Sequence, residues 1–189
     1  MINRHYKKGF TLIELLVVIV IIAILSTIII VSYTGAQRKA RDGKRRTDVQ
    51  TIASAYQIHY QETKTWNFSN AELQRVVPGT PAIHEGSNTS GSGWYNYENA
   101  TSYLVSMDKA LVGLGYLSNP VRDPGITSDG LYSVGDYRQY MKYSSVAGGL
   151  SVYAKLEIPN DEEIAMARTG NYGAIAVDTY GMTYMAQVK

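Results

Sequence analysis

Glu14 is the only ionisable residue in residues 10–31, a stretch otherwise built from Ile, Val, Leu, Ala, Phe and three hydroxyl residues. Near a helix N-terminus its carboxylate meets the positive end of the macrodipole and can reach lipid headgroups. A second chemistry starts from the dipeptide Gly9-Phe10, which Lys7 and Lys8 precede. Hydrolysis of that peptide bond leaves an α-ammonium on Phe10, about one helical turn from Glu14. An isolated carboxylate and an isolated ammonium are each costly to desolvate in an apolar bundle. Each is satisfied by the partner on a neighbouring copy, and such pairing sets the axial stagger between copies.

No other residues assemble into a catalytic set. His5, His59 and His84 have neither metal-ligand spacing nor a Ser and Asp partner, and His59 reads as a core or surface histidine. The chain has no cysteine, which excludes disulfides, thiolate metal sites and thiol catalysis. Asp123, Ser128, Asp129 and Asp136 share a loop that offers oxygen ligands for calcium. Their spacing matches no calcium motif, so turn-forming Asp is the preferred reading, and no metal or cofactor is expected. Arg38, Lys39, Arg41, Lys44, Arg45 and Arg46 form a basic group opposed only by Asp42. No aromatic residues interleave with it and the net charge is only +2, so nucleic acid is not the expected partner. The group reads as a helix face meeting acidic groups on neighbouring copies or anionic headgroups.

The elements that carry these residues follow from hydropathy and periodicity. Residues 10–31 are long enough to cross a hydrocarbon layer ~30 Å thick as a helix. Their 17 Ile, Val, Leu and Phe residues contribute about −5 to −10 kcal/mol to insertion, against about +3 kcal/mol for a carboxylate at the bilayer centre. Insertion wins despite Glu14. A secretory signal would have a shorter core ending at a small-residue cleavage site, whereas Ser26-Thr27 lies inside this run, so the helix stays with the mature protein. Beyond the basic group, Val49, Ile52, Ala53, Tyr56 and Tyr60 form one helical stripe, and no proline interrupts residues 10–77. One continuous helix over residues 10–63 is expected, with Gly35 and Gly43 as its weak points.

The remainder reads as a mixed α+β head. Ser69-Asn70-Ala71-Glu72 is a capping box for a short helix ended by Pro78, and residues 81–93 read as loop. Residues 103–112 read as a helix stopped by Gly113 and Gly115. Alternating runs at 137–146 and 150–158 make a hairpin, with one or two helical turns over 161–168. Residues 173–179 and 182–188, flanking Tyr180-Gly181, read as a second hairpin. Asn67, Asn88 and Asn99 open glycosylation tripeptides, a weak signal. The abundance of Tyr (16 against two Phe) suits wet surfaces and contacts between subunits.

The run Lys8-Gly9-Phe10-Thr11-Leu12-Ile13-Glu14-Leu15-Leu16-Val17-Val18 resembles the class III signal of type IV pilins and type II secretion pseudopilins. In that pattern a short basic leader ends in Gly, followed by Phe and by Glu as the fifth residue after the cut. The resemblance implies a membrane aspartyl peptidase that cuts after Gly9 and N-methylates Phe10, with Glu14 as the assembly carboxylate. It implies the pilin fold, a long helix packed on a small antiparallel sheet. Residues 1–9 would be the cleaved leader, 10–33 the membrane-spanning and filament-core helix, 34–66 its amphipathic continuation and 67–189 the head. Residues 115–157 resemble pseudopilin heads much less specifically.

The implied function is a structural filament subunit whose partners are further copies of itself, the prepilin peptidase/methyltransferase, the assembly platform and, before assembly, membrane lipid. The implied location is the bacterial cytoplasmic membrane, single-pass with the N-terminus inside, then an extracellular or periplasmic filament. Arg4, Lys7 and Lys8 agree with that orientation while the denser basic group opposes it; the cleavage motif decides between them. The alternatives are a minor or tip pilin that binds a surface, DNA or cargo, and a signal-anchored enzyme, which the empty catalytic inventory disfavours. Two departures from many relatives are the missing C-terminal disulfide and the missing helix-bending proline.

Overall fold

The computed structural model describes residues 10–76, 78, 93–94, 106–125, 140–145 and 149–189. The chain forms two compact units, Met1–Lys39 and Ala40–Lys189. Helix α1 runs over Leu12–Thr63, as its periodicity predicts, and Lys64 follows in a left-handed conformation. In the first unit every large apolar side chain described from Leu12 to Ile28 is exposed. This helix is long and apolar enough to cross a membrane by length and composition. A surface apolar all round needs lipid or other helices against it.

In the second unit the same helix is amphipathic. Val49, Ile52, Ala53 and Tyr56 are buried, and Tyr60 packs on their cluster, which is the stripe read from the sequence. His59 joins them, fully buried between the rings of Phe68 and Tyr116, so it is a core histidine. After α1, helix α2 (Asn70–Val76) opens with the expected capping box: the Ser69 N–H and hydroxyl donate to Glu72 Oε2, and Glu72 N–H donates back to Ser69 Oγ.

Among the described residues the sheet has four antiparallel strands in sequential order: β1 (Gly93–Trp94), β2 (Met141–Ser145), β3 (Gly149–Ala154) and β4 (Tyr184–Val188). Its two faces part company with the pleat. Leu150, Val152, Ala154 and Ala186 pack with the α1 stripe, α2 and helix α3 (Met107–Gly113). Tyr153 and Met185, between them, face helices α4 (Asp161–Thr169) and α5 (Gly173–Tyr180). The second unit is therefore three layers, helix–sheet–helices, which makes the chain α+β as expected.

Four expectations need correction or trimming. The first concerns residues 173–179, which form helix α5 rather than a strand. Tyr180-Gly181 is its end rather than a hairpin turn: Gly181 adopts φ +66°, its N–H donates to Val177 O, and Met182 N–H donates to Ala176 O. Glycine at that position lets the last turn bond back on itself without a Cβ penalty. β4 pairs instead with β3, Leu150 opposite Val188 and Ala154 opposite Tyr184. Second, α3 begins at Met107, because Ser106 is extended and acts as the N-cap; residues 103–105 lie outside those described. Third, β3 stops at Ala154 rather than continuing to 158, since the N–H groups of Glu157 and Ile158 both donate to the Asp42 carboxylate at 2.8 Å. Last, the expected loop over 81–93 lies outside the described residues except Gly93, which is in β1, and so do 137–139 and 146–148 of the first hairpin.

Candidate functional site

Phe10 and Thr11 precede the first turn of α1, and Phe10 is 85% exposed. Thr11 caps the helix: its N–H and hydroxyl both donate to Glu14 Oε2 at 2.8 Å, and Glu14 N–H donates to Thr11 Oγ at 3.2 Å. The pair satisfies two donors reciprocally, as in a capping box. It fixes the Glu14 carboxylate at the start of the helix, and no donor among the described residues reaches Oε1. Among the described residues, the donors that reach the Glu14 carboxylate converge on one oxygen, Oε2. Thr11 is the residue that sequence reading passed over, although Thr-x-x-Glu ahead of an apolar run is a readable capping signal. Gly9 lies outside the described residues.

Three arginines of the basic group, Arg41, Arg45 and Arg46, pair with acids of the same chain. Arg45 is 3% exposed and holds Asp123 with two bonds, Nε to Oδ2 at 2.7 Å and Nη2 to Oδ1 at 3.0 Å. Its Nη1 donates to Asp42 Oδ1 and to Glu157 Oε1, both at 3.0 Å. Burial works against the Arg45 charge, but the hydrogen bonds and charge of Asp123, with Glu157 and Asp42, outweigh it and raise its pKa above the usual value. Arg41 grips Glu157 at 2.6 and 2.7 Å, and its hydrogen bond, against some desolvation and with help from Arg45, pulls that carboxyl down to about 2. Arg46 holds Glu163 at 2.7 and 3.1 Å, and Lys44 holds Asp48 at 2.6 and 2.9 Å. Tyr140 donates to Asp48 at 2.6 Å; burial first, then that bond, keeps its phenol protonated well above the ordinary range.

This network positions the head on α1. Asp42 binds the chain just after β3, Arg45 binds the loop at Asp123, and Arg46 binds the first turn of α4. Asp123, named above as an oxygen ligand, has both carboxylate oxygens on Arg45 and also accepts Gly125 N–H at 2.7 Å. Ser128, Asp129 and Asp136 lie outside the described residues, as do Asn88 and Asn99. The Asn67 side chain is engaged: its Oδ1 accepts from the buried Lys142 ammonium at 3.2 Å and from Ser144 Oγ at 3.1 Å. Lys142 also donates to Trp66 O at 2.8 Å and sits 4.4 Å from the centre of the Tyr56 ring, so its charge serves the core.

Residues 4–30 match the family model described as the prokaryotic N-terminal methylation motif. Type II secretion system core protein G of Escherichia coli is 29% identical over 87 residues, 45% of this chain and 60% of that protein. The protein of the same description from Klebsiella michiganensis is 30% identical over 81 residues, covering 42% and 57%. The chain thus spans about three-fifths of the length of these relatives. The type IV narrow pilus major component PilA5 of Thermus thermophilus is 34% identical over 95 residues, half of this chain and 75% of that protein. No solved structure matches. With a methylation motif on the apolar end of α1 and a relative matched over three-quarters of its length, the chain belongs to the family of type IV pilins and type II secretion pseudopilins.

Proposed function

We propose that the chain is a structural filament subunit, made as a membrane precursor, cut between Gly9 and Phe10, N-methylated on Phe10 and polymerised through α1. The observation that carries this reading is the half-used carboxylate of Glu14 in a helix whose apolar surface is exposed on every side. Thr11 holds Oε2, while Oε1 remains for the α-ammonium of a neighbouring Phe10. The scissile bond would lie on the N-terminal side of Phe10, one residue before the Thr11 cap and its helical hydrogen bond from Leu15 N–H to Thr11 O. Once cut, the exposed helix surfaces bury one another in the filament core, and a carboxylate–ammonium pair fixes their stagger.

Membrane lipid covers the apolar first half of α1 before assembly, with residues 1–9 in the cytoplasm and the head on the far side. The pairing of Arg41, Arg45 and Arg46 with acids of the folded head, and of Lys44 with Asp48 on the same helix, supports that orientation, because the group then carries little uncompensated charge. The peptidase/methyltransferase and the assembly platform are the membrane partners. The family is one of structural subunits, and the proposed role requires no catalysis by this chain. Glu14→Ala tests the reading: insertion and cleavage continue while surface filaments are lost. Normal filaments from Glu14→Ala would remove Glu14 from the assembly step.

A further inference from the structure

Asp161 and Glu162, in the first turn of α4, are exposed and have no bonding partner among the described residues. The other exposed acids described in that unit, Glu62, Glu157 and Asp178, each accept from a donor of the same chain. The helix end does not depend on Asp161 or Glu162, because Asn160 and Glu163 cap each other and Arg46 holds Glu163. The complementary charge is on α1. Arg41, Lys44, Arg45 and Arg46 hold acids of their own chain, whereas Lys39 is exposed and has no acceptor among the described residues.

The stagger proposed above brings these two charges together between copies. Glu14 of one copy takes the α-ammonium of Phe10 on the next, and the two positions are four residues apart. Parallel α1 helices in contact are then offset by four residues, about 6 Å. Lys39 of the second copy therefore comes beside Gly43 of the first. Gly43 is exposed and a Cβ there would meet nothing within 4 Å, so a long side chain can lie across it. The acidic turn is close by. Asp42 accepts the N–H groups of Glu157 and Ile158, and Arg46 holds Glu163, so residues 157–163 follow α1 past Gly43. Gly43 lies three residues before Arg46, on the same side of the helix.

We propose that Lys39 of one copy crosses Gly43 of the next and pairs with Asp161 and Glu162 at the start of its α4. The proposal rests on the Glu14–Phe10 reading and extends that interface from the apolar helix outward to the head. One patch meets a different patch, the heterologous arrangement that an open filament of identical subunits requires. Of the expectation that the basic group meets acids on neighbouring copies, this is the part that Lys39 carries.

Charge reversal in the full chain tests the contact in filament-forming cells. Lys39→Glu alone, and Asp161→Lys with Glu162→Lys, should each lower the yield of sheared filaments at least about tenfold, since like charges then face each other. All three substitutions in one chain should restore the yield. Cleavage before Phe10 and the melting temperature of the detergent-solubilised chain should not change in any of them. Because the chain has no cysteine, engineered thiols give a second reading. Chains with different tags, one Lys39→Cys and one Glu162→Cys, should form a covalent pair carrying both tags under mild oxidation. That pair should exceed the one formed when Lys109→Cys, on α3, replaces Glu162→Cys. Single reversals without effect, or a cross-tag product no greater than the Lys109 control, would overturn the proposal. Loss confined to Lys39→Glu and not restored by the head reversals would also overturn it, and would assign Lys39 to anionic headgroups. Absence of filaments from the unmodified chain would remove the filament reading itself, and this contact with it.

Discussion

Replacing Arg45 by Met removes the guanidinium on which three carboxylates converge. The consequence differs for each acid. Asp42 keeps two backbone donors, the N–H groups of Glu157 and Ile158, and Glu157 keeps Arg41. Among the described residues Asp123 keeps only the N–H of Gly125, although its side chain is 2% exposed. It becomes a buried charge without a counter-charge, and breaking a buried pair from one side costs about 3–5 kcal/mol. Arg45→Met/Asp123→Asn removes both charges while an amide oxygen still accepts from Gly125, so about 2 kcal/mol or more of that loss returns. Chemical unfolding of the full chain in a mild nonionic detergent provides the measurement, with the buried Trp66, stacked on Tyr60, as fluorescent reporter. A loss below about 1 kcal/mol for Arg45→Met, or a double variant as unstable as the sum of its singles, would refute the reasoning.

Acid weakens the same network over a defined window. Glu157 has an ordinary value of 4.5 and is held at about 2 when folded, chiefly by the Arg41 hydrogen bond. Its contribution is therefore complete above the unfolded value and is lost as pH falls from about 4.5 to about 2. Glu163, lowered by Arg46, acts in the same direction. Unfolding measured across that range should show stability falling with acid, and Glu157→Gln should flatten the fall by about 1 kcal/mol after solvent screening; an unaltered slope would show the pair to be silent. Gly170→Ala should destabilise the head by about 1–3 kcal/mol, since the added methyl meets Met185, Tyr153 and Ser151. An unchanged denaturation midpoint would show that the turn between α4 and α5 yields freely. Calcium should leave the melting temperature unchanged, because both oxygens of Asp123 are already on Arg45; a clear rise would assign a metal to that loop.

Periodicity carried most of what could be read from the sequence. The stripe Val49, Ile52, Ala53, Tyr56 repeats at helical spacing for long enough to define both α1 and the face it buries. The capping box at Ser69–Glu72 and the β2–β3 hairpin are local signals and were legible for that reason. Helix α5 was not, because Ala-Ile-Ala-Val between two glycines suits a short strand as well as a helix, and packing of Ala176 under the sheet decides it. The arginine network escaped for a different reason. Arg45 meets Asp123 and Glu157 across sequence separations of 78 and 112 residues, which no local pattern reports. At the candidate site, Gly9, Phe10 and Glu14 stood out by type and spacing. Thr11 was hidden by its ordinariness, its role visible only once its hydroxyl and N–H are seen on one oxygen of Glu14.

The most direct test of the filament account is the mass of the N-terminal peptide from filaments sheared off cells. A peptide beginning at Phe10 and carrying one added methyl group is the predicted result, and Gly9→Val should abolish it in favour of a membrane-bound precursor. A chain that still begins at Met1, found only in membranes, would contradict cleavage, methylation and the assembly role of Glu14 together.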